Sequence, residues 1–429
     1  MKRSENVINV SAKEPREAVQ PHRAEPGSVV RISPEWKVLG GFAVALMLSG
    51  GAMWGSTLGI FLAPLERELG WSQTQIYLGV SITYLLTPVV APLVGWLLDR
   101  GHARRLIIGA LLTQGLVFFG MSRMGHSIVI YYMLCILMFS TLLGVTPMPL
   151  TKVINGWFVA KRGLALGILF SVNYLGAMVA PIAALSIIDH LGWRQTYMAF
   201  GVAVLLLDTG AALLWIRENP EQKEPAAQLA ADKPEGTQRR IFLDAIRQKE
   251  FWVIAVWLVF YGYSFNSTSF HLVPLLEEHG LSRAKAAVAQ SLVGFGGLTG
   301  NLLAGILLDR IRAPRLATLF ATFPLVGLVL LATWPGQASG YIMAVSLGLA
   351  VGSEGTILMY LAGRYFAPDI LGRVMSLELV VVVAGSALGP AVAALLHDHF
   401  GSYDELLALN ALTFMVGALM PFGLKGYRY

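Results

Sequence analysis

Glu354 sits in the apolar run GLAVGSEGTILMY, ten residues before Arg364. Ten residues of helix rise about 15 Å, which carries this carboxylate to the middle of a bilayer. An ionisable group at that depth is costly and functional by default. Two chemistries suit it: carrying a coupling proton, or meeting a cationic group on a substrate. A structural carboxylate bonded to a neighbouring helix is the alternative. Glu378, five residues past Arg373, reads as an interfacial or gate acid, and Asp208 as a paired structural acid. Lys152, five residues before Trp157, either snorkels to the surface, or attracts an anion or pairs with an acid. Ser264, Ser267 and His271 fall at i, i+3 and i+7, one helical face, in a segment that also holds Tyr261, Tyr263, Asn266 and Thr268. In an apolar host such a stripe looks at a cavity or bonds another helix. His271 suits a proton relay or a solvated position near the helix end. Trp54, Asn173, Tyr174, Tyr261 and Tyr360 complete a candidate pocket, though each also fits plain packing.

These residues are positioned by apolar segments. The chain has 429 residues, 55% of them hydrophobic and 14% charged, against about 25% charged in soluble proteins. Mean hydropathy is +0.62. That is more apolar surface than a water-soluble fold can bury. It also excludes a collagen, a disulfide scaffold and a disordered chain. The single cysteine, Cys135, lies in YYMLCILMF and reads as a buried small hydrophobe. Twelve apolar runs are expected to be transmembrane helices, near 38–65, 73–98, 105–122, 127–151, 163–187, 195–216, 251–276, 286–308, 315–334, 340–362, 374–396 and 406–424. Residues 1–35 read as a disordered cytoplasmic tail without signal-peptide features, and 217–250 as a cytoplasmic linker with Pro220, Pro225 and Pro234. Residues 36–216 and 251–429 then form two six-helix bundles.

The net charge of +6 is a topology signal rather than a nucleic-acid surface. With the N-terminus cytoplasmic, 27 of the 32 Lys and Arg fall on the cytoplasmic side, as the positive-inside rule requires of a protein with both termini inside.

The halves repeat. GWLLDRGHARRL (95–106) and GILLDRIRAPRL (305–316) share eight of twelve residues at an offset of 210. FLAPLERELGWS (61–72) and HLVPLLEEHGLS (271–282) share six of twelve at the same offset. GAMVAPIAALSIIDHLG (176–192) returns as GSALGPAVAALLHDHFG (385–401) at an offset of 209. A constant offset across separate helices marks a duplicated unit. Parallel repeats about an axis along the membrane normal are the plan of a rocking transporter with its site near the midplane.

The motif Gly95-x-x-x-Asp99-Arg100-x-x-x-Arg104-Arg105, with its copy at Gly305, Asp309, Arg310 and Arg315, resembles the signature loop of the major facilitator superfamily. His102 stands where that family usually has glycine. The resemblance covers about residues 36–425 and implies the major facilitator fold, an all-α membrane protein of twelve helices in two pseudo-symmetric bundles. In that reading Gly95 and Gly305 permit close helix approach, while Asp99, Arg100, Arg104, Arg105, Asp309 and Arg310 form a cytoplasmic gate whose charges break and reform. The arginines also set topology.

Trp157-Phe158-x-x-Lys161-Arg162-Gly163-Leu164-Ala165-x-Gly167, with Asn173 and Gly176 beyond, resembles the monocarboxylate transporter signature and that of the oxalate–formate antiporters, and adds Arg162 to the gate. Those families commonly place an Arg in the eighth helix four residues before the motif Gly, where a guanidinium fork grips a carboxylate. Asn301 holds that position here, which makes it a candidate substrate ligand of another kind. Gly176-x-x-x-Ala180-Pro181 and Gly385-x-x-x-Gly389-Pro390 resemble, in degenerate form, the fifth-helix motif of drug and proton antiporters. Close helix contact and a proline kink explain them without exchange chemistry.

There is no phosphate-binding loop, no H-E-x-x-H and no paired-cysteine arrangement, so no cofactor, no metal and no enzyme activity are expected. The expectation is a monomeric secondary transporter in the plasma membrane, its partners a small-molecule substrate and membrane lipid. The substrate is a small organic acid of monocarboxylate type moved with a proton. Glu354 and His271 are the coupling candidates, and Trp54, Asn173, Tyr261, Asn301, Glu354 and Tyr360 the substrate candidates. An exporter of amphipathic or cationic compounds and a non-transporting membrane sensor are the rivals.

Overall fold

The first span is a helix interrupted at a glycine cluster. It runs through Pro34–Met47, a π-helical turn at Gly51–Gly55, and Ser56–Leu69. The second is bent by 48° between Gln73–Leu85 and Thr87–Leu98. Pro88, in the first turn of the second piece, removes a backbone donor there and crowds the preceding turn. Ala103–Arg123, Ile128–Val145, Arg162–Leu191 and Trp193–Trp215 complete the first half. The second half holds Lys249–Glu278, Arg283–Leu308, Ala313–Thr333, Gln337–Tyr365, Leu371–Phe400 and Asp404–Leu419, the seventh to twelfth spans. This is a computed structural model, and the residues it describes are 33–100, 102–145, 157–158, 162–217, 235–308, 310–367 and 370–424. They contain helices and turns and no strand.

Among the described residues, ten helices are long and apolar enough to cross a membrane, and the bent pair makes an eleventh. Lys249–Glu278, the seventh in chain order, falls outside that set. It is 30 residues long, but the polar stretch from Ser264 to Thr268 dilutes its apolar content. The chain is an integral multi-pass membrane protein. Its outer surface exposes large apolar side chains such as Val89, Leu116, Leu206 and Ile306, as a lipid-facing surface requires. Part of the expected linker is itself helical, at Glu235–Ile246. Residues 1–32, 218–234 and 425–429 lie outside the described residues.

The duplication read from sequence is present in the backbone. Among the described residues the glycines of positive φ are Gly70 (71°) and Gly280 (85°), and Gly192 (88°) and Gly401 (73°). They form two pairs at the repeat offsets, each ending a helix in the left-handed region that favours glycine. Glu68 accepts from Trp193 Nε1 at 2.6 Å and pairs with Arg194 at 2.7 Å. Its repeat counterpart Glu278 accepts from Ser402 Oγ at 2.9 Å and the Tyr403 amide at 3.0 Å. Both carboxylates tie the end of a half's first helix to the start of its last.

Close helix contact also repeats. A Cβ on Gly176 would lie 2.0 Å from the Met47 carbonyl, and one on Gly385 would lie 2.2 Å from the Val259 carbonyl. The fifth helix is therefore pressed on the first, and the eleventh on the seventh, by the same device. Between halves the fifth span packs on the eighth, the second on the eleventh and the first on the seventh. These contacts leave a space along the pseudo-symmetry axis.

Candidate functional site

A cavity of about 270 Å³ occupies that space. The glycines Gly51 and Gly55 of the π-helical turn and Ala177 form apolar wall, and both halves contribute polar groups: Ser56, Tyr84 and Asn173 from the first, Asn266, Ser269 and Gln290 from the second. Among the described residues, no Lys, Arg, His, Asp or Glu lines it. The Tyr84 hydroxyl donates to Asn266 Oδ1 at 3.0 Å across the halves, and Asn266 Nδ2 donates to the Gly262 carbonyl and Ser386 Oγ. Asn266 is thus fully engaged. Asn173 and Gln290 have no other side-chain partner among the described residues, and their amides are free to bond a solute. Gln290 is only 4% exposed, so its surroundings hold the amide at the cavity wall.

Asn173 is the candidate substrate ligand that lines this cavity. Tyr174 and Asn266, also singled out from sequence, join it there. Glu354 is half-buried one helical turn from the cavity residue Val351. Its electrostatic neighbours are Tyr174 and Tyr261. Tyr261 lies behind the wall, stacked on Phe265 at 6.5 Å between centroids. Trp54 is packed in the first-half core with its Nε1 unpartnered. The π-helical turn rotates the helix so that the neighbouring glycines face the cavity instead. Asn301 Oδ1 accepts from Thr356 Oγ1 at 2.8 Å, a tie between the eighth and tenth helices. Tyr360 lies beneath Arg364, whose guanidinium donates to its hydroxyl at 3.1 Å. Ser56, Tyr84, Ser269 and Gln290 were missed. Each is a neutral polar residue inside an apolar run, a weaker signal in sequence than a charge.

The polar face of the seventh helix divides. Ser264 bonds Thr413 at 2.6 Å, and Asn410 bonds Ser267 at 3.2 Å and Thr268 at 2.9 Å, so this part docks on the twelfth helix. His271 is fully buried toward the end of the molecule opposite the linker, with Nδ1 3.1 Å from Tyr403 Oη and Nε2 3.0 Å from the Pro390 carbonyl. Asp208 and Glu378 are both 0% exposed and have no hydrogen-bond partner on either carboxylate oxygen. The expected partner of Asp208 is absent among the described residues, and Glu378 is a core residue of its half.

Hydrogen bonds between halves gather at the end opposite the linker, called here the far end. Pro64 and Pro274 are repeat counterparts, and each lacks the amide that would bond the carbonyl four residues earlier. Those carbonyls, of Ile60 and Phe270, are satisfied across the interface: Arg283 Nη2 donates to Ile60 at 2.8 Å and the Tyr77 hydroxyl to Phe270 at 2.8 Å. Arg283 also lies 3.7 Å from Asp189, and the Thr74 amide donates to Asp398 at 3.1 Å. The far end is closed.

At the linker end, a Cβ on Gly95 or on Gly305 would have nothing within 4 Å. The close approach expected of both glycines is absent in this conformation. Arg104 Nη2 donates to the Leu213 carbonyl at 3.0 Å within the first half, Arg100 lies 3.8 Å over the Trp96 ring, and Arg105 and Arg310 are exposed. The side chains of Asp99, Asp309 and Arg162, and all of Lys152, lie outside the described residues. In the second signature, Trp157 Nε1 donates to the Arg217 carbonyl at 2.8 Å and Phe158 packs edge-on to Trp36 at 5.3 Å. These two aromatics thus contact the start of the first span and the end of the sixth.

Comparison with known proteins fits this architecture. The profile of the Major Facilitator Superfamily matches residues 42–377, and the chain belongs to that family. Its relatives and its fold are those of transporters, not enzymes. Monocarboxylate transporter 11 of Homo sapiens is 23% identical over 287 residues, 64% of this chain, and the chain spans only 59% of that protein. The Mus musculus counterpart is 22% identical over 379 residues, 86% of this chain and 83% of the relative. The probable sulfoacetate transporter SauU of Cupriavidus necator is 26% identical over 388 residues, 83% of this chain and 86% of the relative. Among solved structures, a bacterial homologue of the human lysosomal transporter Spinster, inward-facing and occupied, superposes with a TM-score of 0.69 at 15% identity, covering 91% of this chain and 97% of that one.

Proposed function

We propose that this protein is a proton-coupled carrier of a small organic acid, working by alternating access in the plasma membrane with its linker end cytoplasmic. The concentration of Lys and Arg at the linker end supports that orientation. With the far end latched and the linker end parted, the conformation is then inward-facing. The observation that carries the substrate reading is the cavity itself: about 270 Å³, closed on the far side, and lined by neutral amides and hydroxyls from both halves. That volume lies just under the usual range for small-molecule sites and suits a solute of a few heavy atoms. Amide N–H groups of Asn173 and Gln290 can bond an oxyanion, and the hydroxyls of Ser56 and Ser269 can do the same.

The missing cation gives the coupling its logic. An anion in this cavity meets no Lys or Arg among the described residues, and an ionised Glu354 one turn away repels it. Protonating Glu354 removes the repulsion, so proton and anion bind best together, and coupling follows from the difference in affinity. Relatives named for monocarboxylate and sulfoacetate transport agree with a small acid in this place.

The test is uptake into proteoliposomes under an imposed pH gradient, with labelled lactate, pyruvate, oxalate, sulfoacetate and a lipophilic cation, beside Glu354→Gln. The expected result is gradient-driven accumulation of one acid, with the gradient dependence lost in the variant. Movement of the cation alone would overturn the acid assignment and favour the exporter.

A further inference from the structure

The first helix is longer than its repeat counterpart, and the surplus lies beside the cavity. Gly176 seats the Met47 carbonyl of the first helix as Gly385 seats the Val259 carbonyl of the seventh, and Pro64 matches Pro274. From Met47 to Pro64 the first helix advances 17 positions, whereas from Val259 to Pro274 the seventh advances 15. The two additional residues fall in the interruption that begins at Leu48 and Ser49 and runs through the π-helical turn Gly51–Gly55. The seventh helix is unbroken over Lys249–Glu278.

An interruption at membrane depth leaves backbone groups that must find partners. The Leu46 carbonyl takes the Ser49 hydroxyl at 3.0 Å instead of the Gly50 amide. The Gly50 amide donates to Gln114 Oε1 of the third helix, also at 3.0 Å. Helical bonding resumes with the Met53 amide on the Ser49 carbonyl at 2.9 Å. Gln114 is 0% exposed, and its Nε2 has no partner among the described residues. A buried donor left unpaired is costly, so this amide is not explained as packing; what it supplies is the bond to Gly50. The repeat position of Gln114 is Pro324, whose side chain offers no acceptor. Acceptor and interruption therefore occur together in one half, and neither is found at the matching place in the other.

The consequence falls on the cavity. A π-helical turn holds about one residue more than an α-helical turn, which rotates one side of a helix against the other by about 100°. Gly51, Gly55 and Ser56 line the cavity, while Ala52, Met53 and Trp54 are buried. Any solute meets nearly bare backbone on this wall. Opposite, Phe265 and Asn266, the repeat positions of Gly55 and Ser56, present full side chains.

We propose that Gln114 is a positioning residue for the substrate cavity. By holding the Gly50 amide it keeps the first helix interrupted, and so decides which residues of that helix the solute meets. Without the acceptor, the Gly50 amide returns to the Leu46 carbonyl and the cavity-facing side moves by one position. The Ser49 hydroxyl acts with Gln114, because it occupies the carbonyl that Gly50 would otherwise claim.

The test reads that face through the rate at which a small methanethiosulfonate labels the Ala52→Cys, Met53→Cys and Ser56→Cys variants, one at a time, in purified protein; the native Cys135 is buried. No substrate is added, so the outcome is independent of the organic-acid reading. Ser56→Cys is expected to label fastest and the other two to be protected. Gln114→Met matches the side chain in length but is only a weak acceptor. Combined with it, Ser56→Cys should slow and Ala52→Cys or Met53→Cys quicken, changing their ratio about five- to tenfold, the worth of one hydrogen bond. Ser49→Ala should shift the ratio in the same sense, and it serves where Gln114→Met fails to fold. Gln114→Glu retains an acceptor and should retain the original pattern. An unchanged ratio in Gln114→Met or in Ser49→Ala overturns the proposal, as do equal shifts in Gln114→Met and Gln114→Glu. An even rise at all three positions with a lower thermal midpoint also overturns it, since that marks a loosened bundle and not a turned helix.

Discussion

Removing the Tyr77 hydroxyl tests whether the proline-freed carbonyls latch the far end. In the closed form Tyr77 is fully buried and donates to the Phe270 carbonyl at 2.8 Å. Pro274 leaves that carbonyl without its helical partner, so Tyr77→Phe orphans a buried acceptor. Such a group costs about 1–3 kcal/mol, whereas in the open form water can reach it. Taking about 2 kcal/mol, the closed-to-open ratio falls roughly thirtyfold. The ring remains, so its packing against His271 is kept. The assay is the distance distribution between spin labels at Ser127→Cys and Gln337→Cys, exposed far-end positions on opposite halves, with the native Cys135 buried and silent. A population of the longer distance should grow at constant pH. An unchanged distribution, or a shift toward the closed form, would mean that the hydroxyl adds nothing to closure and that the freed carbonyl is satisfied some other way.

Glu378→Met replaces a fully buried carboxyl that has no partner on either oxygen with an apolar side chain of similar length. It should raise stability by about 1–3 kcal/mol, read as a higher thermal midpoint in detergent. Gly176→Val puts a Cβ 2.0 Å from the Met47 carbonyl and should lower that midpoint by an overpacking cost of about 1–3 kcal/mol or more. Gly95→Val enters open space in this conformation; it should leave the midpoint unchanged while slowing net uptake, because the linker end must close on it. Gln290→Ala should weaken substrate binding about five- to tenfold, the worth of one hydrogen bond, in equilibrium binding by the purified protein.

The spans were legible because a bilayer imposes a length and a hydropathy on every helix. The duplication was legible because its Asp-Arg and Pro-Gly pairs are not products of apolar bias. Rotation about the helix axis was not. Trp54 looked like a pocket residue, but a π-helical turn at Gly51–Gly55 aims the glycines inward. Asn301 and Tyr360 are spent on Thr356 and Arg364, partners that sequence spacing alone does not single out. Gln290 is not legible as a site residue because a neutral amide in an apolar run costs less than a charge and so marks function less sharply. Pro64 and Pro274 were visible in the quoted repeat, yet their meaning depends on Tyr77 and Arg283, donors that only the assembled interface brings near.

Those two prolines also bear on ancestry. The acceptors match in the two copies, whereas the donors do not: Arg283 aligns with Gln73, and Tyr77 with Ala287. An ancestral single-copy unit would have carried the freed carbonyl before either present donor was fixed, and a pair of such units would have met with both acceptors exposed to each other's helices. Fusion into one chain let each side evolve its own answer, one ionic and one neutral. Salt can therefore loosen one latch and spare the other, and selection can retune the resting state of the carrier one copy at a time.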